Sequence, residues 1–343
     1  MDIRKLVKNE VVGLKAYNAK EIPCRIKLDA NESPYGFADA AKRIPGIRTN
    51  RYPDPEAKVL RQLIAKDLKV GTGDILFGNG SDELIYYLIT TFGGPVLYPV
   101  PTFSMYGIIG QALGEEKIEV PLDKDFDLDT DVFLTTVRKK KPKLIFLSSP
   151  NNPTGNCFST DRILKVLEAS KGIVVIDEAY QPFSSERGML PLLKDYENLI
   201  FMRTLSKIGL AAIRLGFLIA DPEIIEEVNK VRLPFNLNSF SQAIAKAALT
   251  GHKEFRTAVK MIVSERERLF AEMEKIEGIK PFPSEANFIL FRMEDPDHVY
   301  SALLEKGILV RNLKTAVKGC LRVTVGSPKE NTSFIKALKE ILR

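Results

Sequence analysis

Cysteine and histidine are both scarce in this 343-residue chain. The three cysteines, Cys24, Cys157 and Cys320, are far apart and form no CxxC pair. That argues against a disulfide framework or a thiolate metal cage and fits a reducing cytoplasm. The two histidines, His252 and His298, fall in polar, helix-like surroundings without ligand spacing, so no metal site is expected. There is no long apolar run, and the start, Met1-Asp2-Ile3-Arg4-Lys5, is charged. Neither a membrane span nor a secretory signal is expected. Internal repeats and low-complexity tracts are also lacking, which leaves no sign of a solenoid or a disordered tail.

What is present is the composition of a soluble globular protein, 45% hydrophobic and 27% charged. The length allows one large and one small domain. The net charge is +6, a mild excess that suits anionic substrates. Its densest run, Arg138-Lys139-Lys140-Lys141-Pro142-Lys143, precedes the apolar Leu144-Ile145-Phe146-Leu147 and has no interleaved aromatics. It reads as a solvated helix end leading into a strand, and nucleic-acid binding is not expected.

Short apolar runs predict strands at Ile75-Leu76-Phe77, Val96-Leu97-Tyr98, Lys117 to Val120, Leu144 to Leu147, Ile173 to Ile176, Leu199 to Met202 and Phe217 to Ile219. Near-continuous apolar strands separated by helical stretches indicate an α/β fold with a largely parallel sheet covered on both faces. Residues up to about Pro45 read as irregular. Beyond them, the prolines of Arg51-Tyr52-Pro53-Asp54-Pro55 lead into a helix from about Glu56 to Leu68. From about Asp221 the pattern is helical: Ile224 to Val231, Gln242 to Leu249, and a long amphipathic helix from about Glu254 to Glu277. Strands at Ala286 to Phe291, Ile308 to Val310 and Leu321 to Val325, with helices at about Pro296 to Lys306 and Lys329 to Leu342, make a small α+β unit.

Chemistry-bearing residues gather where strands end, the place where ligands bind in open parallel sheets. The run Thr204-Leu205-Ser206-Lys207-Ile208-Gly209 follows the Leu199 strand and holds a lysine, with Arg214 a short way on. An amine held near another cation and partly desolvated is a candidate nucleophile for Schiff-base chemistry. Gly78-Asn79-Gly80-Ser81-Asp82-Glu83 is a glycine turn feeding a helix start, which can offer free N–H groups to a phosphate. Glu83 stands where a dinucleotide fingerprint needs its third glycine, so a single phosphate fits better than a nicotinamide cofactor. Phe103, Asn152-Pro153-Thr154-Gly155 and Asp177-Glu178-Ala179-Tyr180 follow three further strands. Arg322 alternates out of an apolar strand, where a guanidinium meets either an anion or a buried ion-pair partner.

Taken together, Asn152-Pro153-Thr154-Gly155, Asp177-Glu178-Ala179-Tyr180, Ser206-Lys207 and Arg214 resemble the fold type I pyridoxal-phosphate-dependent aminotransferases over nearly the whole chain. Within that superfamily, Leu28-Asp29-Ala30-Asn31-Glu32-Ser33-Pro34-Tyr35-Gly36, Arg51-Tyr52-Pro53, Ser284-Glu285-Ala286-Asn287-Phe288 and Leu321-Arg322-Val323-Thr324-Val325-Gly326 look like the histidinol-phosphate aminotransferase branch. One departure is an interval from Lys207 to Arg214 one residue shorter than in many relatives. The resemblance implies a mostly parallel seven-stranded sheet in a large domain, residues 47–248. It also implies a small α+β domain with the N-terminal segment, residues 1–46 and 249–343, and a cytoplasmic homodimer.

By the same resemblance, Lys207 would bind pyridoxal 5′-phosphate as a Schiff base and shuttle a proton. Asp177 would pair with the ring nitrogen, and Asn152 and Tyr180 would hydrogen-bond the phenolic oxygen. Phe103 would stack on the ring. Gly80, Ser81, Asp82, Ser206 and Arg214 would hold the phosphate, with Tyr52 reaching it from the neighbouring subunit. On the substrate side, Arg322 and Arg311 would grip the carboxylates of glutamate and 2-oxoglutarate and the phosphate of histidinol phosphate, with Tyr17 and Asn31 assisting. The implied reaction is ping-pong transamination in histidine biosynthesis. An aromatic amino acid aminotransferase, a threonine-phosphate decarboxylase and a non-catalytic cofactor-binding regulatory module remain alternatives.

Overall fold

The computed structural model describes residues 1–14, 22–38, 40–44, 46–186, 188–251 and 253–342, with the side chains of residues 41, 43 and 253 also outside the description. His252 therefore lies outside the described residues. In chain order the strands are β1 (Ile26–Leu28), β2 (Ile75–Asn79), β3 (Val96–Val100), β4 (Lys117–Pro121), β5 (Leu144–Ser148), β6 (Ile173–Asp177), β7 (Leu199–Thr204), β8 (Leu215–Ala220), β9 (Lys280–Pro281), β10 (Phe288–Arg292), β11 (Ile308–Asn312) and β12 (Cys320–Thr324).

The seven apolar runs predicted as strands form one sheet in the order β2-β8-β7-β6-β5-β3-β4. Only β8 runs against its neighbours; the other pairings are parallel. Every residue of β5 is buried. Its alternate side chains enter different clusters: Ile145 and Leu147 join Phe133, Ile163 and Phe201, whereas Leu144 and Phe146 join Leu84, Leu88 and Tyr106. Successive strand residues point to opposite faces, so this division means helices cover both sides. At the edge, β4 instead alternates exposed and buried residues, with Ile118 and Val120 inward. The basic run ends the helix Thr130–Lys140, where Arg138, Lys139 and Lys140 complement the negative end of the helix dipole.

A second sheet has the order β1-β11-β12-β10-β9. Two of its strands went unread in the sequence. The segment expected to be irregular contains β1, which pairs in parallel with β11 through Ile26↔Ile308 and Leu28↔Val310. Its alternation is only three residues long, too short to register as a periodic signal. The two-residue β9 is shorter still. The helices Pro296–Glu305 and Pro328–Ile341 occur where expected. The latter starts with a capping box between Ser327 and Glu330. The long helix ends at Glu274, three residues before the expected Glu277. Its Ile262, Leu269 and Met273 pack with Phe288, Leu321 and Phe334 of the second sheet and its covering helix. Ala179, Tyr180 and Phe183, from the turn after β6, enter this same cluster. That turn joins the two layers.

Among the described residues no helix is long and apolar enough to cross a membrane. Nor do they include any group of three or more potential metal ligands.

Close backbone approach fixes the β2 end of the large sheet. Gly216 on β8 faces Gly78 in the ladder, and a methyl group there would lie 2.9 Å from Gly80 C and from Ser81 N. Those atoms belong to backbone, so the turn itself would have to move. Gly216→Ala is expected to lower folding stability by about 1–3 kcal/mol through overpacking. Denaturant unfolding checks this, and an unchanged midpoint would show that the Gly80 turn yields freely.

Candidate active site

The carboxyl ends of β2, β3, β5, β6 and β7 lie along one edge of the large sheet, together with the amino end of antiparallel β8. Along that edge sit Gly80 after β2, Arg214 before β8, Lys207 after β7, Asp177 at the end of β6, Asn152 beyond β5 and Phe103 beyond β3. Residues scattered over more than a hundred positions of sequence thus line one rim because parallel strands all finish on the same side.

The first part of the rim is built for an anion. Gly80 adopts φ 85° and precedes the helix Ser81–Phe92, whose first-turn N–H groups are left without helical partners. A Cβ at Gly80 would meet the Arg214 guanidinium, so glycine is needed both for the backbone angle and for the close approach. Arg214 is itself left-handed, with φ 50°, and its Nη2 donates to Asp82 Oδ2 at 3.1 Å. Ser206 is buried, with its Oγ 3.0 Å from Thr204 Oγ1. Glu83 is turned away from the anion position: its Oε2 accepts from the Asn79 N–H at 2.6 Å and from Asn236 Nδ2 at 2.8 Å. The acid that replaces a fingerprint glycine therefore closes the turn from behind.

The second part centres on Asp177, which is buried with only 4% of its surface exposed. Tyr106 donates its hydroxyl to Oδ2 at 2.7 Å, and the Ala179 N–H donates to Oδ1 at 3.0 Å. Burial pushes this carboxyl up to about 6; the two hydrogen bonds oppose the rise, Asp82 adds to it and the Lys207 charge reduces it. Tyr106 is held in turn by stacking on Phe146, with centroids 4.7 Å apart, and by an edge contact with Phe103 at 5.6 Å. Lys207 is half-buried, its Nζ 5.8 Å from the centroid of the Tyr180 ring. An amine, a buried carboxylate and a hydroxyl thus converge beside the anion cradle. A phosphorylated, cationic aromatic aldehyde would suit that set: the cradle would take the phosphate, Asp177 the ring cation and Lys207 the aldehyde.

On the other side of Tyr180 the small sheet approaches. Asn31 Nδ2 donates to the Tyr180 hydroxyl at 2.9 Å. Arg322 is buried on β12; it donates to Asn152 Oδ1 and, at 2.8 Å, to the Asp29 carbonyl oxygen. Its guanidinium lies over the Phe288 ring at 5.1 Å. Arg311 is exposed and sits opposite Arg322 in the β11–β12 ladder, which puts both side chains on one face. Tyr52 is 81% exposed and stacks on Phe235 at 4.5 Å, so its hydroxyl is at the chain's surface. Tyr17 lies outside the described residues.

Three supporting residues escaped the sequence reading. Tyr106 opens the helix Met105–Leu113 among apolar neighbours, and nothing in the pattern distinguishes its ring from ordinary core. Arg203 pairs at 2.6 Å with the buried Glu178, directly after Asp177. Arg266 of the long helix donates to the carbonyls of Phe183 and Ala286, tethering the turn that carries Tyr180. Only the last two offered a signal, as charges inside otherwise apolar strand or helix faces. A surface groove of about 720 Å³ runs between Pro34–Gly36 and Phe255, Ala258 and Met261, and none of these groups lines it.

The raised Asp177 carboxyl ties stability to pH. Its protonated form is favoured by the fold, so this contribution is fully present below the ordinary value of 3.8 and is lost as pH rises through about 6. In the cofactor-free protein, Asp177→Asn is expected to gain stability over the parent between pH 4 and pH 7, reaching on the order of 3 kcal/mol. Thermal unfolding across that range checks it, and a difference that does not change with pH would refute the burial argument.

The profile of the family described as Aminotransferase class I and II matches residues 25–338. A histidinol-phosphate aminotransferase of Aquifex aeolicus is 43% identical over 98% of this chain and 98% of its own. One from Thermoanaerobacter pseudethanolicus is also 43% identical, over 99% of each chain. Among solved structures, the histidinol-phosphate aminotransferase of Clostridium acetobutylicum superposes with a TM-score of 0.85 at 26% identity, covering 92% of this chain and 98% of that one. The Sinorhizobium meliloti enzyme of the same name, solved in complex with pyridoxal-5′-phosphate, gives 0.85 at 26% identity over 94% and 92%. With the profile spanning most of the sequence and relatives this similar from end to end, the chain belongs to the aminotransferase class I and II family.

Proposed function

We propose that this chain transfers the amino group of L-histidinol phosphate to 2-oxoglutarate, giving imidazole-acetol phosphate and glutamate in histidine biosynthesis. The observation that carries the proposal is the row of groups along one sheet edge, in a chain whose full-length relatives are named for that activity. When bound, pyridoxal 5′-phosphate supplies an electron sink for negative charge developing at the substrate carbon. Ser81 and Asp82 offer the phosphate backbone N–H groups where the Gly80 turn lets it approach, with Ser206 and Arg214 beside them. Asp177 holds a proton on the ring nitrogen, and the apolar wall of Phe103, Tyr106 and Phe146 keeps that pair dry. Lys207 Nζ takes and returns a proton at the carbon that bears the amine. Asn152 and Tyr180 donate to the phenolic oxygen.

Arg322 and Arg311, side by side on the small sheet, receive the two anions that occupy the site in turn. Residues 47–248 form the cofactor-binding domain, and residues 1–46 with 249–343 form the small domain. The working unit is a cytoplasmic homodimer. The exposed Tyr52 ring belongs to its interface and reaches the partner's phosphate; it stacks on Phe235, whose sequence neighbours Leu233 and Phe240 are also exposed.

Two measurements test this. The protein mixed with pyridoxal phosphate should gain visible absorbance that Lys207→Ala abolishes. Turnover should favour histidinol phosphate over phenylalanine, while phosphothreonine should not be decarboxylated. Preference for either competitor would replace the substrate assignment, and absence of colour would remove the cofactor. For the shared site, Tyr52→Ala and Lys207→Ala chains should each be nearly inactive, yet recover roughly a quarter of parental activity when refolded together, because mixed dimers keep one complete site. Failure to recover activity would place Tyr52 in its own subunit's site, and a Tyr52→Ala chain that is active by itself would place it outside both.

A further inference from the structure

Asn31 has a feature that substrate binding does not require. It is 1% exposed and holds a left-handed φ of 55°, a conformation that among ordinary residues only asparagine and aspartate adopt readily. Every polar group of the residue is used. Its N–H donates to Thr324 Oγ1 at 2.9 Å, and its carbonyl accepts from Asn287 Nδ2 at 3.0 Å. Thr324 Oγ1 donates to Asn31 Oδ1 at 3.3 Å, and Asn31 Nδ2 donates to the Tyr180 hydroxyl at 2.9 Å.

These bonds have a direction. Thr324 Oγ1 accepts the Asn31 backbone N–H and gives its own hydrogen to the side-chain oxygen of Asn31. With that oxygen turned to Thr324, the amide presents its N–H to Tyr180. The Tyr180 oxygen accepts this hydrogen, so its single proton must point elsewhere. We propose that Asn31 is a positioning residue that fixes Tyr180 as a one-way hydrogen-bond donor toward the phenolic oxygen of the cofactor. The inference rests on the role given to Tyr180 above. It makes the loop after β1 part of the electronic tuning of the site, because Asp29, two residues earlier, anchors Arg322 from the same loop.

Asn31→Asp is the discriminating variant. Aspartate has almost the same size and tolerates the left-handed backbone, but its ionised carboxylate only accepts. Tyr180 would then donate to residue 31 and its proton would leave the cofactor. In the full-length protein loaded with pyridoxal phosphate and free of substrate, the pH midpoint of the visible absorbance change is expected to rise by about one pH unit. Tyr180→Phe should shift it in the same direction. In the Tyr180→Phe background, Asn31→Asp should add little, since the hydroxyl through which it acts is gone. An unchanged midpoint in Asn31→Asp would overturn the proposal. So would a shift that persists undiminished in the Tyr180→Phe background, because that would be the effect of added charge alone.

If the parent protein takes up no coloured cofactor, the reading of the site fails, and the link between the two residues is still decided without it. Asn31→Ala and Tyr180→Phe, made singly and together in the cofactor-free protein, should lower the thermal midpoint non-additively. Strictly additive losses would show that no bond couples them.

Discussion

A carboxylate buried at the end of a parallel strand needs hydrogen bonds, an opposing charge or a proton, and Asp177 organises the site around that need. The β5–β6 ladder places Ser148 opposite it and the β6–β7 ladder places Met202 opposite it, so it sits in the middle of the sheet edge, far from open solvent. Two donors, Tyr106 and the Ala179 N–H, occupy its oxygens from within the fold. The remaining demand for positive charge faces the rim. Lys207 and the anion cradle lie to one side and the small sheet closes the other, so a ring cation there would meet three constraints at once.

Much of this was readable from the residues alone. Strands of the large sheet buried on both faces announced themselves because they are apolar without interruption, as in Leu144-Ile145-Phe146-Leu147, while the edge strand β4 showed alternation instead. The site candidates were readable because each polar or glycine cluster came just after such a run. Two of the features that escaped notice had no local pattern. The strand Ile26–Leu28 exists through pairing with β11, more than 280 positions away. Tyr106 looks like one more ring in an apolar helix until the fold brings its hydroxyl to Asp177.

Arg322 shows a subtler limit. Its place in an apolar strand implied either an anion or an ion pair, and its contacts in the structure include the amide of Asn152, the Asp29 carbonyl and the face of Phe288. Arg311 stands beside it in the ladder. Sequence could say that a cation lay in the strand. It could not say which groups would meet it, since Asp29, Asn152 and Phe288 come from different parts of the chain.

Asp177 and Tyr180 are three residues apart, yet they answer to different bodies. Asp177 is woven into the large sheet, while Tyr180 packs edge-on against Phe288 at 5.1 Å within the cluster of the small one. Any sliding of one layer over the other therefore changes the span between carboxylate and hydroxyl, and the Ala179 link is too short to absorb it. The turn works as a caliper: its jaws are clamped to separate blocks, and whatever lies between them registers how those blocks are set.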